Sequence, residues 1–329
     1  MISKGPLIVY AENVRGRDPI YELREDDIRT VLSAADKNAR ITVRYSDDPD
    51  RSALNEAEVF VGSRFDTKFL SQSGFKLKLI HATSAGVEAY MPLDWLPPGA
   101  TLTNSSGIQA DKVGEFGLLA LLMLNDQIPR HMTSQRNHEW RQAFSTPIRG
   151  KTVLIVGVGS LGEAVAEKAR LLGMRVTGIR RNGASHPHVD QMYKPDALHA
   201  ALADCDFLVL SCPLTEHTRG MIGAPEIARM KTGAGLINIS RAGVVDHSAI
   251  CAALRSEKLS GAILDVFDPE PLPASSPLWD EPNLVVIPHV SSDTPVGYIQ
   301  KSLQILGRNV TNLREGRPIE NAVNAEFGY

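Results

Sequence analysis

At 329 residues, with ordinary globular shares of apolar and charged side chains, the chain is long enough for about two domains with real cores. A net charge of −3 gives no reason to expect nucleic acid or an anionic membrane as a partner, and the longest apolar run, residues 118–124, is far too short to span a bilayer. Cys205, Cys212 and Cys251 are odd in number without any C-x-x-C spacing, which argues against a disulfide frame or a metal site, and residues 1–6 carry no apolar signal core, so a cytoplasmic protein is expected.

In the first third, residues 7–11, 41–45, 59–62 and 77–82 read as short strands, and 25–35 has helical spacing behind acidic N-terminal positions. This is a small α/β unit without a phosphate-cradling glycine loop. The small-residue segment Thr83-Ser84-Ala85-Gly86-Val87-Glu88 follows a strand. It is either a plain βα turn or a loop whose N–H groups face a ligand carboxylate. A strand at 101–104 then leads into a helix over 111–126 that is apolar on most faces, which suits deep burial or a subunit interface. The polar stretch 130–142 carries Trp140, a residue of local packing or one able to reach a neighbouring site.

The centre of the chain, Thr152-Val153-Leu154-Ile155-Val156-Gly157-Val158-Gly159-Ser160-Leu161-Gly162, is an apolar strand run into G-x-G-x-x-G, followed by an alanine-rich helical pattern. Gly157 allows the tight turn, Gly159 lets backbone approach a pyrophosphate, and Gly162 lets helix and strand pack closely. Strands are expected at 152–156, 175–179, 207–211, 235–239, 262–266 and 284–287, with helical segments such as 196–203 and 248–258 between them. Six largely apolar strands in βα alternation describe a doubly wound parallel sheet. A last helix over 296–313 could return to the first unit, so the expected domains are 1–106 with 295–329, and 107–294.

Ligands of such sheets lie outside the carboxyl ends of the strands. There the sequence sets Arg241, Glu270 and His289 after three successive strands. Each has a dull explanation alone: a surface ion pair, a loop charge, a hydrogen-bonded imidazole. Together, beside a dinucleotide loop, they suit hydride transfer to a 2-keto acid. An arginine fork binds the carboxylate, and a histidine protonates the oxygen while a carboxylate orients the imidazole. The second strand of the dinucleotide unit ends Gly178-Ile179-Arg180-Arg181-Asn182, with no acid for a ribose 2′-hydroxyl and two guanidinium groups instead. NADP is therefore expected over NAD, with NAD still possible and Arg180 the direct contact.

At these residues the chain resembles the D-isomer-specific 2-hydroxyacid dehydrogenases over essentially its whole length. The resemblance rests on 156–162, Cys212-Pro213-Leu214-Thr215 with Thr218, 238–246, Leu264-Asp265-Val266-Phe267 with Glu270-Pro271, and Pro288-His289. It implies a Rossmann cofactor domain (107–294) and a smaller flavodoxin-like substrate domain. It also implies Arg241, Glu270 and His289 as the catalytic trio, with His289 as acid/base. Ser84, Ala85, Gly86 and Val87 would bind substrate carboxylate, together with Arg241 and His289. The cofactor contacts it implies are Gly157, Gly159, Ser160, Leu161, Gly162, Arg180, Arg181, Cys212, Pro213, Thr218, Ile239, Ser240, Asp265, Ser291 and Ser292. Asp265 matches a partner of the nicotinamide carboxamide. The 111–126 helix matches a homodimerisation element, and Trp140 a tryptophan that in some glyoxylate and hydroxypyruvate reductases reaches the partner's active site. Those reductases are the expected subfamily. Glu270 and the lack of a formate-type asparagine pattern argue against formate, the loop at 83–88 lacks the lysine of phosphite dehydrogenases, and no regulatory domain follows residue 329. His247 departs from the acidic residue common at that place. The alternatives are an NAD-dependent enzyme for another 2-hydroxy acid, or a nucleotide-sensing corepressor of the same fold, which would add long tails.

Overall fold

The structure, a computed structural model, describes residues 5–71 and 75–328. The reading of a missing signal core at residues 1–6 therefore falls mostly outside the described residues. The chain parts into two compact units at residues 108/109 and 293/294, where the sequence reading put 106/107 and 294/295.

In the first unit five parallel strands, β1 (Ile8–Asn13), β2 (Arg40–Tyr45), β3 (Val59–Gly62), β4 (Leu79–Ala82) and β5 (Thr101–Thr103), lie in the order β2-β1-β3-β4-β5. The central strands are short apolar runs because helices cover both faces of the sheet, leaving no side that water could reach. Val9, Tyr10 and Ala11 are fully buried accordingly. The helix Glu25–Leu32 opens with three acids, which suit its positive end, and buries Ile28 and Leu32. The helix Tyr298–Glu315 returns to the same layer, packing Ile299, Leu303, Leu306 and Val310 into that core. Strand order reverses between β1 and β3, so a crevice opens outside their carboxyl ends.

The second unit is a parallel sheet of β6 (Thr152–Val156), β7 (Arg175–Ile179), β8 (Gln191–Tyr193), β9 (Phe207–Leu210), β10 (Ala234–Asn238), β11 (Leu259–Leu264) and β12 (Leu284–Val286), ordered β12-β11-β10-β9-β6-β7-β8. This corrects the expected six strands to seven. The addition, β8, is three residues long at the sheet's edge, and Gln191-Met192-Tyr193 has neither an apolar run nor a clear alternation. The sheet reverses between β6 and β9, beside the glycine turn.

The helix Ala110–Asn125 buries Val113, Gly114, Gly117, Ala120, Leu121 and Leu124, while Leu119 stays 54% exposed. Burial thus accounts for one face of its apolar pattern. The polar stretch after it holds a helix, Ile128–Arg136, and Trp140 beyond that helix is 97% exposed. Among the described residues no helix is long and apolar enough to cross a membrane.

Candidate active site

The turn after β6 explains its glycines. Gly157 sits at φ 98°, and a Cβ there would lie 2.5 Å from the backbone nitrogen of Cys212. At Gly162 a Cβ would come within 2.2 Å of the Gly157 carbonyl oxygen. Both close the turn onto its neighbours, and neither tolerates a side chain. Gly159 differs, since a Cβ there would meet nothing within 4 Å. Its bare backbone faces open space at the N-cap of the helix Ser160–Leu171, which has no side-chain cap. A helix N-terminus without a side-chain cap, with its positive dipole end beside an open glycine, fits a dinucleotide pyrophosphate.

Arg180 follows β7 directly, half-buried, and its N–H donates to Tyr193 of β8 at 3.1 Å. The unexpected strand therefore anchors the arginine expected to choose the cofactor. Arg181 beside it is exposed. After β9, Cys212 is buried, and burial pushes its thiol up to about 12, so it is a protonated packing group here. The Thr218 hydroxyl donates to the Pro213 carbonyl at 2.7 Å and receives the Thr215 N–H at 2.8 Å, bracing the loop from within.

Three strand ends then converge on the reactive groups. Beyond β12, His289 Nδ1 lies 2.8 Å from Glu270 Oε2, and the other Glu270 oxygen accepts the Phe267 N–H at 2.8 Å. A carboxylate only accepts, so Nδ1 carries the proton toward Glu270. His289 has φ 55°, the left-handed region, which costs a non-glycine residue on the order of 1 kcal/mol or more. Asp265 holds that bend. It is 1% exposed, and it accepts the N–H groups of Val290 and Ser291 at 2.9 and 3.2 Å and the Ser291 hydroxyl. Burial pushes its carboxyl up from the ordinary value, against the pull of the Ser291 bonds and of His289.

Arg241 follows β10, with Nη1 donating to its neighbour Ser240's carbonyl at 2.8 Å. Asn238, not among the expected site residues, sets this turn. Its Oδ1 accepts the Ser240 N–H and hydroxyl at 3.0 and 2.7 Å, and its Nδ2 donates to the Arg241 carbonyl at 3.1 Å. A fully buried amide ending the run Leu236-Ile237-Asn238 was the available signal. Ile239 and Ser240 are buried beside it, and Ser292 is half-buried after Ser291. No group of three or more His, Cys, Asp or Glu able to hold a metal ion occurs among the described residues.

On the first unit, the loop after β4 is fastened through its carbonyls. Thr83 O accepts from the Tyr298 hydroxyl at 2.8 Å, Ser84 O from the Ser105 N–H at 3.0 Å, Ala85 O from Asn104 Nδ2 at 2.9 Å, and Gly86 O from Ser84 Oγ at 2.9 Å. The N–H groups of Ser84, Ala85, Gly86 and Val87 donate to no group among the described residues. Four occupied acceptors and four unspent donors make an anion cradle of this turn.

A doubly wound domain with an open glycine turn, and a histidine held by a carboxylate at its strand ends, define a nicotinamide-dependent oxidoreductase. Residues 118–291 match the family model described as D-isomer specific 2-hydroxyacid dehydrogenase, NAD binding domain. A glyoxylate/hydroxypyruvate reductase B of Pectobacterium carotovorum is 32% identical over 287 residues, covering 84% of this chain and 88% of the relative. Among solved structures, a D-isomer specific 2-hydroxyacid dehydrogenase from Xanthobacter autotrophicus, in complex with NADPH and MES, is 29% identical with a TM-score of 0.85, covering 98% of this chain and 99% of the other. An NADPH-dependent glyoxylate/hydroxypyruvate reductase from Sinorhizobium meliloti, in complex with NADP and sulfate, is 26% identical with a TM-score of 0.80, covering 98% and 99%. The chain belongs to the D-isomer-specific 2-hydroxyacid dehydrogenase family and is an NAD(P)-dependent oxidoreductase.

Proposed function

We propose that this enzyme reduces small 2-keto acids, glyoxylate and hydroxypyruvate among them, to D-2-hydroxy acids, preferring NADPH and using His289 as the proton donor. The observation that carries this reading is the 2.8 Å bond from His289 Nδ1 to Glu270. It fixes the tautomer and ring orientation and leaves Nε2 as the nitrogen to face a carbonyl oxygen. The reduced nicotinamide supplies the hydride when bound.

The remaining roles follow from charge and geometry. Gly157, Gly159, Ser160, Leu161 and Gly162 would hold the pyrophosphate, with Cys212, Pro213, Ile239, Ser240, Ser291 and Ser292 along the cofactor and Thr218 shaping its loop. Asp265 keeps the His289 bend and has lone pairs left for a carboxamide donor. Arg241 would fork a substrate carboxylate and polarise the adjoining carbonyl, and the amides of Ser84, Ala85, Gly86 and Val87 would donate to a substrate carboxylate. Arg180, with Arg181, would meet the 2′-phosphate. Complexes of two similar proteins with NADPH and NADP support that choice. The helix Ala110–Asn125, with exposed Leu119, and the exposed Trp140 are proposed as homodimer surface, Trp140 reaching the partner's substrate.

Turnover of glyoxylate, hydroxypyruvate, pyruvate and phenylpyruvate with both reduced nicotinamides tests the reading. The first two with NADPH should give the highest kcat/KM. No turnover of any of the four would overturn the proposed substrate class.

A further inference from the structure

A cleft of about 290 Å³ opens on the first unit at the carboxyl ends of β1 and β3, where the strand order reverses. Glu12, Arg17, Tyr21, Ser63 and Thr83 are among its walls. The half-buried Arg17 guanidinium donates to Ser63 Oγ and lies 4.2 Å over the Tyr21 ring, so both its edge and its face are braced. Such bracing pre-organises a planar fork at little entropic cost.

Charge in the cleft is unbalanced. Burial and the neighbouring Arg64 both push the Arg17 guanidinium down from its ordinary value, so two cations repel each other across the strand ends. Neither arginine forms an ion pair with a carboxylate among the described residues. Nearby charges are already engaged: Arg15 pairs with Asp47 at 2.9 Å, Glu22 with Arg24 at 3.0 Å, and Asp18 caps the turn at Ile20. Glu12, 8% exposed, has burial and Asp66 pushing it up to about 7, so near neutral pH it is only partly ionised. An anion entering the cleft would relieve the repulsion between the arginines.

The cleft also adjoins the amide cradle. Thr83 lines it, and Tyr90 joins the two: its hydroxyl accepts the Arg64 N–H at 2.8 Å, hydrogen-bonds Ser84, and feels the charges of Arg17 and Arg64. We propose that this cleft receives a second anionic group at the far end of the substrate, with Arg17 as the residue that reads it. The inference rests on the reading that Ser84 to Val87 hold the 2-keto acid carboxylate. It extends the substrate class to 2-keto acids bearing a distal carboxylate or phosphate. The reaction is unchanged: the keto carbon gains hydride and its oxygen gains the proton.

The test compares wild-type enzyme with Arg17→Gln and Arg17→Lys on glyoxylate, oxaloacetate and 3-phosphohydroxypyruvate. Charge-assisted hydrogen bonds to a fork change affinity by about tenfold to a hundredfold. The kcat/KM ratio of a distal acid to glyoxylate should fall by that factor in Arg17→Gln and recover partly in Arg17→Lys. Whichever distal acid shows the larger fall identifies carboxylate or phosphate as the preferred group. A ratio moving less than threefold for both would overturn the inference while leaving the reductase reading intact. A second measurement is independent of turnover: calorimetric binding of D-malate and glycolate to the full chain with oxidised cofactor. Arg17→Gln should weaken D-malate tenfold or more relative to glycolate. Equal changes, or no D-malate binding by the wild type, would overturn the inference even if no keto acid were reduced.

Discussion

The two parallel sheets of this enzyme solve one problem in two ways. Both reverse strand order, and both present their working residues at carboxyl edges. At the second sheet, glycines shape the proposed cofactor turn by withholding side chains: Gly157 and Gly162 allow contact that no Cβ would permit, and Gly159 leaves open space at the helix N-terminus. At the first sheet no such turn occurs among the described residues. Its donors are amides freed because Tyr298, Ser105, Asn104 and Ser84 occupy the matching carbonyls, and its cation is a braced arginine. The fold supplies the edge, and the loops decide whether its backbone is laid open by glycines or by carbonyls that are already engaged.

The sharpest way to separate the edges is to remove the proposed proton donor. His289→Gln should lower kcat by about 10²–10⁴-fold, the usual span of general acid catalysis, while leaving NADPH affinity within a fewfold. Stopped-flow single turnover with glyoxylate reads the first and fluorescence titration the second. Unchanged turnover would take the histidine out of the mechanism.

Breaking the glycine solution itself comes next. Gly162→Ala puts a methyl against a backbone carbonyl, at 2.2 Å, which cannot swing aside as a side chain would. Overpacking of this kind costs about 1–3 kcal/mol. The loss should appear in both NADPH affinity and Tm, because turn and ligand cradle are one piece of backbone. Normal affinity and Tm would mean that the turn relaxes freely.

Cofactor choice is the third comparison. Arg180→Asp with Arg181→Ala should reverse the preference for NADPH by roughly tenfold to a hundredfold while keeping NADH activity, since one hydrogen bond to a charged group is worth about 1.5–3 kcal/mol. Equal wild-type efficiency with the two cofactors would leave both arginines as surface charge.

Much of the second edge was legible in the sequence, because its signals are local. Val153, Leu154 and Ile155 form a buried run ending at Gly157, and Arg241, Glu270 and His289 each follow a strand. What escaped was short or distant. β8 is only Gln191-Met192-Tyr193, and Asn238, though it opens a stretch that carries the resemblance, was given no role of its own. The first edge was far less legible. Thr83–Gly86 gains its character from Tyr298, 215 positions away from Thr83, and from Asn104, 19 away from Ala85, so composition left turn and cradle equal. Arg17 stands in the polar stretch Arg15-Gly16-Arg17-Asp18, which carries no local signal of a site; Ser63 and Tyr21 brace it only in the folded chain.

The mildest test concerns the acid of the first edge. Glu12 is buried near the end of β1, where desolvation and then Asp66 raise its carboxyl from 4.5 to about 7. Between those values the folded state binds more protons at Glu12 than the unfolded chain does, so stability falls as pH rises through that window. Each pKa unit is worth about 1.4 kcal/mol, and between pH 5.5 and pH 8 the loss should reach roughly 2 kcal/mol. Glu12→Gln keeps the shape and stays neutral, so it should escape that loss. The variant's Tm advantage over wild type should widen by a few degrees across the interval, read by calorimetry at several pH values. A gap that stays constant would mean that Glu12 finds a cation in the fold. Arg17 would then already have its anion, and the two edges would differ less than their geometry indicates.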